Sequence, residues 1–252
     1  MAESRRGADM VAPRIDIENL SKTFLHIDGP VKAVDGVSLK IPSGQITALV
    51  GDSGCGKTTL LKLLAGLLKP DSGRIRRDNP ESPPALVFQD SRLLPWKTVE
   101  ENLLLALKRT QDILLDRQAR KARIDEALRL VRLEAWKRSY PRQLSGGMAQ
   151  RISLARALCQ RKGFLLMDEP FSALDAITRE KLQRELKSIQ RKLGNTILFI
   201  THDIAEAVFL ADTVCVMKQG KLTGEIRTSK SGDPSGTIHR LLGLESGQDS
   251  GQ

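Results

Sequence analysis

Four short runs of this 252-residue chain are almost continuously apolar: 46–50 (ITALV), 164–167 (FLLM), 197–200 (ILFI) and 214–217 (VCVM). A strand with one wet face alternates, so an unbroken run of four or five implies cover on both faces. Helix-periodic stretches lie between these runs, and that order of elements builds a parallel sheet flanked by helices. Two earlier segments, 14–20 and 37–41, partly alternate, as half-exposed antiparallel strands would. From about 90 to 161 the periodicity is helical. The predicted architecture is α/β: a mostly parallel sheet, an N-terminal antiparallel β subdomain and a helical insertion. One domain is expected over 14–227, with the helical subdomain at about 90–161. Residues 1–13 and 228–252 read as flexible tails, the latter because its 25 positions hold five Gly and five Ser. No internal repeat is visible.

Composition removes several classes of protein. No uncharged apolar run approaches the ~18–20 residues that a membrane-spanning helix requires. The opening MAESRRGADMVAPRIDI has no apolar core of a secretory signal. Three cysteines, Cys55, Cys159 and Cys215, lack metal-ligand spacing and suit a reducing cytosol. The net charge is +10, from 40 Lys and Arg against 30 Asp and Glu. Residues 108–142 carry 11 basic and 5 acidic side chains, so most of the surplus sits there. Such a cluster can neutralise nucleic-acid phosphates or meet an anionic membrane surface. The plainer reading is a solvated helix face, since Ile124, Leu128, Val131 and Leu133 recur at near-helical spacing and aromatic residues total 4%.

Directly after the run 46–50 comes GDSGCGKTTLLKLLAG, residues 51–66. It contains G-x-x-x-x-G-K-[ST] as Gly51, Gly56, Lys57 and Thr58, between a strand and an apolar-periodic helix. Gly51, Gly54 and Gly56 let the backbone curl so that successive N–H groups face phosphate oxygens. The following helix adds the positive end of its dipole. Lys57 would reach the β- and γ-phosphates, and the Thr58 hydroxyl would ligate Mg²⁺. A chance match of the four positions is expected in roughly 1% of chains of this length.

The run GFLLMDEP, 163–170, delivers two carboxylates at the C-terminal end of a strand, where α/β sheets place ligands. Asp168 can hold Mg²⁺ through its water shell, and Glu169 can polarise an attacking water. A plain helix-capping role is the alternative. His202 follows another buried run and would emerge on the same edge, although a single His is more often structural. In QLSGGMAQRISLARAL, 143–158, Ser145 is a helix N-cap candidate, and Gly146 and Gly147 permit close backbone approach. This second helix N-terminus is either another anion site or an ordinary cap.

Taken together, the motifs resemble the ATP-binding subunit of an ATP-binding cassette (ABC) transporter. GDSGCGKTT resembles Walker A, LSGGMAQR the family signature, and FLLMDEP Walker B. Gln89 in VFQD resembles the Q-loop, SALD (172–175) the D-loop, and His202 the switch histidine. Met148 departs from the Gln usual in the signature. The resemblance covers about 15–226 and implies a P-loop NTPase core binding ATP and Mg²⁺. It implies nucleotide contacts from Phe24, stacking on adenine, and from Gly51, Asp52, Ser53, Gly54, Cys55, Gly56, Lys57, Thr58 and Thr59. Ser145, Gly146, Gly147 and Asp175 would act across a head-to-tail dimer on the nucleotide and Walker A of the second copy. Glu169 would be the catalytic carboxylate, with His202 holding the γ-phosphate and attacking water. Thr58, Gln89 and Asp168 would serve the metal, Gln89 also linking it to the membrane subunit.

A finer resemblance lies in FQDSRLLPWKTVEENLLLAL, 88–107, and in DEPFSALDAITR, which are similar to importers of the nitrate, sulfonate and taurine group. It implies two transmembrane permease subunits, a solute-binding protein acting through them, and a place on the cytoplasmic face of the inner membrane. Trp96 and Leu94 would then be apolar anchors in the permease, or else packed within the helical insertion. The rival is a soluble relative acting on nucleic acid or ribosomes. Against it, Gly51 and Ser145 are only 94 positions apart, without the long coiled coil of repair relatives, and the chain carries one cassette where translation-factor relatives carry two. A regulatory ATP sensor without turnover is a third reading, opposed by Glu169 and His202.

Overall fold

The computed structural model describes residues 13–27, 29–78, 83–108 and 116–244. In chain order the elements are β1 (Ile15–His26), β2 (Gly29–Ile41), β3 (Ile46–Val50), α1 (Lys57–Leu64), β4 (Ser72–Arg77), β5 (Ala85–Val87), α2 (Val99–Lys108), α3 (Arg117–Leu130), α4 (Gly146–Leu158), β6 (Phe164–Asp168), α5 (Ala176–Leu193), β7 (Thr196–Thr201), α6 (Ile204–Leu210), β8 (Thr213–Lys218), β9 (Lys221–Arg227) and α7 (Pro234–Leu242). The described residues within 14–80 and 197–252 form one compact unit, and those within 81–196, with Pro13, form a second.

In the first unit β3 lies between β7 and β8 and pairs in parallel with both, Ile46 opposite Ile197 and Thr47 opposite Thr213. All five residues of β3 are buried, as continuous apolarity predicts. β9 closes the edge antiparallel to β8. The antiparallel sheet runs β2–β1–β4. Its alternation puts Ile15, Ile17, Leu20, Val37, Leu39 and Ile41 inside. The predicted α/β architecture is therefore observed, with its parallel and antiparallel parts where the sequence places them.

One expectation is corrected. Residues 228–252 read as a flexible tail, yet α7 forms within them. Asp233 accepts the Gly236 N–H at its start, Pro234 occupies the first turn, and left-handed Gly243 ends it. Ile238 and Leu242 are buried, and Lys218 Nζ donates to the Leu242 carbonyl at 3.1 Å. Flanking Gly and Ser masked a short amphipathic helix whose apolar face has a strand to cover. Residues 245–252 and 1–12 lie outside the described residues, as do the tail assignments for them.

In the second unit β5 and β6 pair in parallel. The helical part buries Val99, Leu103 and Leu107 of α2, Ile124 and Leu128 of α3, then Val131 and Leu133, and Ile152 and Ala155 of α4. The apolar positions of the basic stretch thus face a core, as the plainest of its three readings expects; 109–115 lie outside the described residues. Lys137 pairs with Asp125 at 2.5 Å and with Glu100 at 3.2 Å.

Helix starts follow one chemistry with one exception. Thr98 and Glu101 form a reciprocal capping box on α2. Asp116, Ser145, Asp175, Asp203 and Asp233 each accept a backbone N–H three residues ahead on α3 to α7. Among the described α-helices only α1 starts without a side-chain cap, at Gly56.

The packing of α7 yields a stability prediction. Ile238→Ala should lower unfolding free energy by about 2–4 kcal/mol in a denaturant titration, the range for a buried Ile truncation. A tail residue would show no loss.

Candidate functional site

The turn between β3 and α1 is shaped by what its glycines touch. A Cβ on Gly51 would sit 2.2 Å from the Met217 carbonyl oxygen and 2.7 Å from Cys55 Sγ. Gly56 has φ 108°, and a Cβ there would lie 1.9 Å from the Ala33 carbonyl oxygen. Neither position has room for a side chain. Gly54 is also left-handed, at φ 80°, but faces open space. Lys57 is buried, with 6% exposure. Its Nζ donates to the Gly51 and Asp52 carbonyls at 2.7 and 2.8 Å and lies 3.8 Å from Cys55 Sγ. The ammonium is thereby held over its own loop, ready for an anion. Asp52, Ser53, Gly54 and Thr58 are exposed, and Thr59 is half-buried.

The same unit carries Phe24 and His202. Phe24 on β1 is 40% exposed and pairs with Val31 on β2. Lys22 Nζ stands 5.8 Å from its ring centre and pairs with Asp71. His202 is exposed just beyond β7. Its neighbours are fixed by a web the sequence reading did not find: Thr201 Oγ1 donates to buried Glu206 at 2.9 Å and accepts the Asp203 N–H at 3.0 Å. The signal for it was present, since Asp203-x-x-Glu206 has capping-box spacing.

The second unit holds the remaining candidates. β6 ends on Asp168, half-buried, and Glu169 follows with φ 43°. A left-handed non-glycine residue costs roughly 1–3 kcal/mol, which its surroundings must supply. Here Ser172 Oγ and N donate to the Glu169 carbonyl at 3.0 and 3.3 Å, with Phe171 buried between them.

Ser145 caps α4 by accepting the Met148 N–H at 3.3 Å, as predicted, and its hydroxyl keeps a proton to donate. A Cβ on Gly147 would meet Thr178 Cγ2 at 2.6 Å, so the start of α4 abuts the first turn of α5. That turn is capped by Asp175, whose carboxyl is held below its ordinary range by the Thr178 N–H. Ser145, Gly146, Gly147 and Asp175 therefore share one edge.

Gln89 is exposed and opens onto a cleft of about 180 Å³ together with Gly146, Gln150 and Pro170. Two side chains of α4 fix its backbone. Gln150 Nε2 donates to the Phe88 carbonyl at 3.0 Å, and Arg156 donates to the Ser91 and Arg92 carbonyls at 2.8 Å each. Arg92 stacks on the Phe88 ring, 3.7 Å from its centre. Nothing in the residue pattern distinguishes these brackets from ordinary polar positions. Farther on, buried Asn102 hydrogen-bonds the backbone of Leu94, Lys97 and Thr98. That loop displays Trp96 at 70% exposure, so Trp96 is not packed in the helical insertion.

Chemically, the first unit offers a polyphosphate cradle and an exposed aromatic ring, and the second offers carboxylates and a capped helix start. The Thr58 hydroxyl in the first unit, and the Gln89 amide and Asp168 carboxylate in the second, each offer a hard oxygen donor of the kind that suits Mg²⁺ rather than a soft ion. Among the described residues no group of three or more His, Cys, Asp or Glu could hold a metal. Burial pushes the Cys159 thiol up to about 12 and raises Cys215 further, so both are structural rather than reactive.

Comparison with known proteins agrees with this chemistry. The family described as ABC transporter matches residues 34–172. The nitrate import ATP-binding protein NrtD of Synechococcus elongatus is 44% identical over 206 residues, covering 80% of this chain and 75% of that protein. The aliphatic sulfonates import ATP-binding protein SsuB of Bacillus cereus is 39% identical, covering 82% and 83%. The dimeric bacterial ABC transporter cassette MJ0796 superposes with a TM-score of 0.75 at 30% identity, covering 85% of this chain and 98% of that one. The same cassette has been seen as a post-hydrolysis dimer with ADP and phosphate, at a TM-score of 0.74. With its phosphate loop, strand-end carboxylates and capped signature helix, the chain belongs to the ABC transporter family.

Proposed function

We infer that this chain hydrolyses ATP to ADP and phosphate as the energy-coupling subunit of an importer for a small solute of the nitrate, sulfonate or taurine type. The observation that carries the reading is α1. Among the described α-helices it alone starts without a side-chain cap, behind a loop in which Gly51 and Gly56 have no room for a side chain, with Lys57 held over it. A phosphate chain supplies the acceptors that a cap would otherwise provide.

Phe24 would stack on the base, residues 51–59 cradle the phosphates, and Thr58, Gln89 and Asp168 hold Mg²⁺. Bound there, Mg²⁺ would neutralise charge on the phosphate oxygens. Glu169 would orient a water and draw its proton as the water oxygen bonds to the γ-phosphorus and the bond to the β–γ bridging oxygen breaks. His202 would hold the γ-phosphate in line. Ser145, Gly146 and Gly147, with Asp175 beside them, would meet the nucleotide of a second copy, so closure of two chains completes each site. Closure and reopening would then drive two permease subunits, with a solute-binding protein delivering cargo to them. Trp96 on its pinned loop would be an apolar anchor in a permease groove. The chain would work on the cytoplasmic face of the inner membrane, beside the permease subunits it drives. None of its described helices is long and apolar enough to cross a membrane.

Nucleic acid is not the expected partner, because Gly51 and Ser145 are only 94 positions apart, without the long coiled coil of repair relatives. Three outcomes test the assignment. Lys57→Ala should weaken ATP binding at least tenfold by titration, the loss of a charge-assisted contact. Glu169→Gln should leave binding within about twofold and cut phosphate release by roughly 10²–10⁴-fold. Unchanged turnover in that variant would remove Glu169 from its role. Tagged protein captured from detergent-solubilised native membranes should bring a polytopic membrane protein in comparable amount, and Trp96→Ala should reduce that yield about tenfold. Ribosomes or nucleic acid alone would overturn the transport reading.

A further inference from the structure

The geometry points to Gly220, in the turn joining β8 to β9, as a positioning residue that holds the base-stacking platform at the right span from the phosphate cradle. The proposal rests on the reading that Phe24 stacks on the base of ATP. Gly220 lies outside every motif identified in the sequence.

Lys218 and Lys221 are paired across the hairpin, leaving Gln219 and Gly220 as a two-residue loop with φ 46° and 79°. Both positive angles suit a tight hairpin turn, and that alone would favour a glycine. Gly220 does more. Its N–H donates to the Cys55 carbonyl in the phosphate loop, and its carbonyl accepts the Asp35 N–H of β2, both at 2.9 Å. A Cβ here would stand 2.8 Å from the Lys32 carbonyl oxygen and 3.4 Å from that of Ala33. The Ala33 carbonyl oxygen in turn lies 1.9 Å from where a Cβ on Gly56 would be. The β2 backbone is therefore seated between two glycines, one in the cradle and one in the hairpin, with no room for a methyl group at either. Asp35 stitches the seat further by pairing with Lys32 and with Lys221, each at 3.4 Å.

The platform is carried on this strand. Val31, cross-strand partner of Phe24, is two residues from Ala33, about 7 Å along β2. A push at Lys32 and Ala33 passes to Val31 and Phe24. The three atoms nearest a Cβ on Gly220 all belong to β2 and none to the phosphate loop. Filling this position therefore presses first on the Lys32 carbonyl of β2, one residue from Val31, while the phosphate loop keeps its hydrogen bond from the Gly220 N–H. ATP is held at both ends, and a ligand with phosphates alone is held at one, so the two should respond differently.

The experiment measures affinities of the full chain for ATP and for inorganic tripolyphosphate by calorimetry. Gly220→Asn is the variant of choice, because Asn tolerates left-handed backbone while still carrying a Cβ. It should weaken ATP binding about tenfold, the scale of one lost stacking contact, and leave tripolyphosphate within twofold. Phe24→Ala should do the same, and the double variant should lose no more than either single one, because both act on one contact. Equal weakening of both ligands by Gly220→Asn, or no weakening of ATP, overturns the proposal. If Phe24→Ala leaves the ratio unchanged, the base-stacking reading falls and takes the seat with it. If Phe24→Ala lowers the ratio and Gly220→Asn does not, the seat alone falls. Should Gly220→Asn fail to fold, Asp35→Ala carries the test. It removes both ion pairs and keeps the backbone N–H, with about a threefold selective loss of ATP expected and an unchanged ratio overturning the proposal.

Discussion

The N-cap of α1 is Gly56, a left-handed glycine pressed against the β2 backbone that brings no side-chain cap to the helix start. A helix start without a side-chain cap gives up stability and suits a phosphate site. Much of the first unit keeps that start in place. β3 is buried along its whole length and aims the loop, the Met217 carbonyl closes the space over Gly51, and the Gly220 N–H holds the Cys55 carbonyl. Lys57 then contributes a cation already held by two carbonyls, so little side-chain freedom remains to be lost when a phosphate arrives.

The second unit is organised around α4 in a comparable way. Its N-terminus presents Ser145 and the paired glycines beside Asp175, and two of its later side chains fix the backbone on both sides of Gln89. One rigid helix thus carries the feature that would face a second copy and braces the loop that would sense metal and membrane partner. The left-handed backbone at Glu169 adds a local strain of the kind concentrated at reaction centres.

Much of this was legible in the residues. Continuous apolar runs announced β3, β6, β7 and β8, partial alternation announced β1 and β2, and Ser145 announced the cap of α4. These features are local: burial on both faces, half-burial and capping each write a short-range pattern into the chain. The composition of 228–252 was misleading for the same reason. Gly and Ser dominate the count, whereas the outcome turned on Ile238 and Leu242 finding cover.

What the sequence determined by itself is the kind of chemistry: a phosphate loop after a buried strand, carboxylates at a strand end, and a signature helix with its cap, all in the order of one family. Tertiary structure decided the rest, because it depends on neighbours distant in the chain. Only the fold reveals that Gly56 and Gly220, 164 positions apart, grip the same carbonyl of Ala33. Only the fold shows that Gln150 and Arg156 reach back some 60 residues to hold 88–92, and that Trp96 stands in solvent while Leu103 does not. A glycine's lack of a side chain, or an arginine's five donors, acquires meaning only from the atoms packed against it.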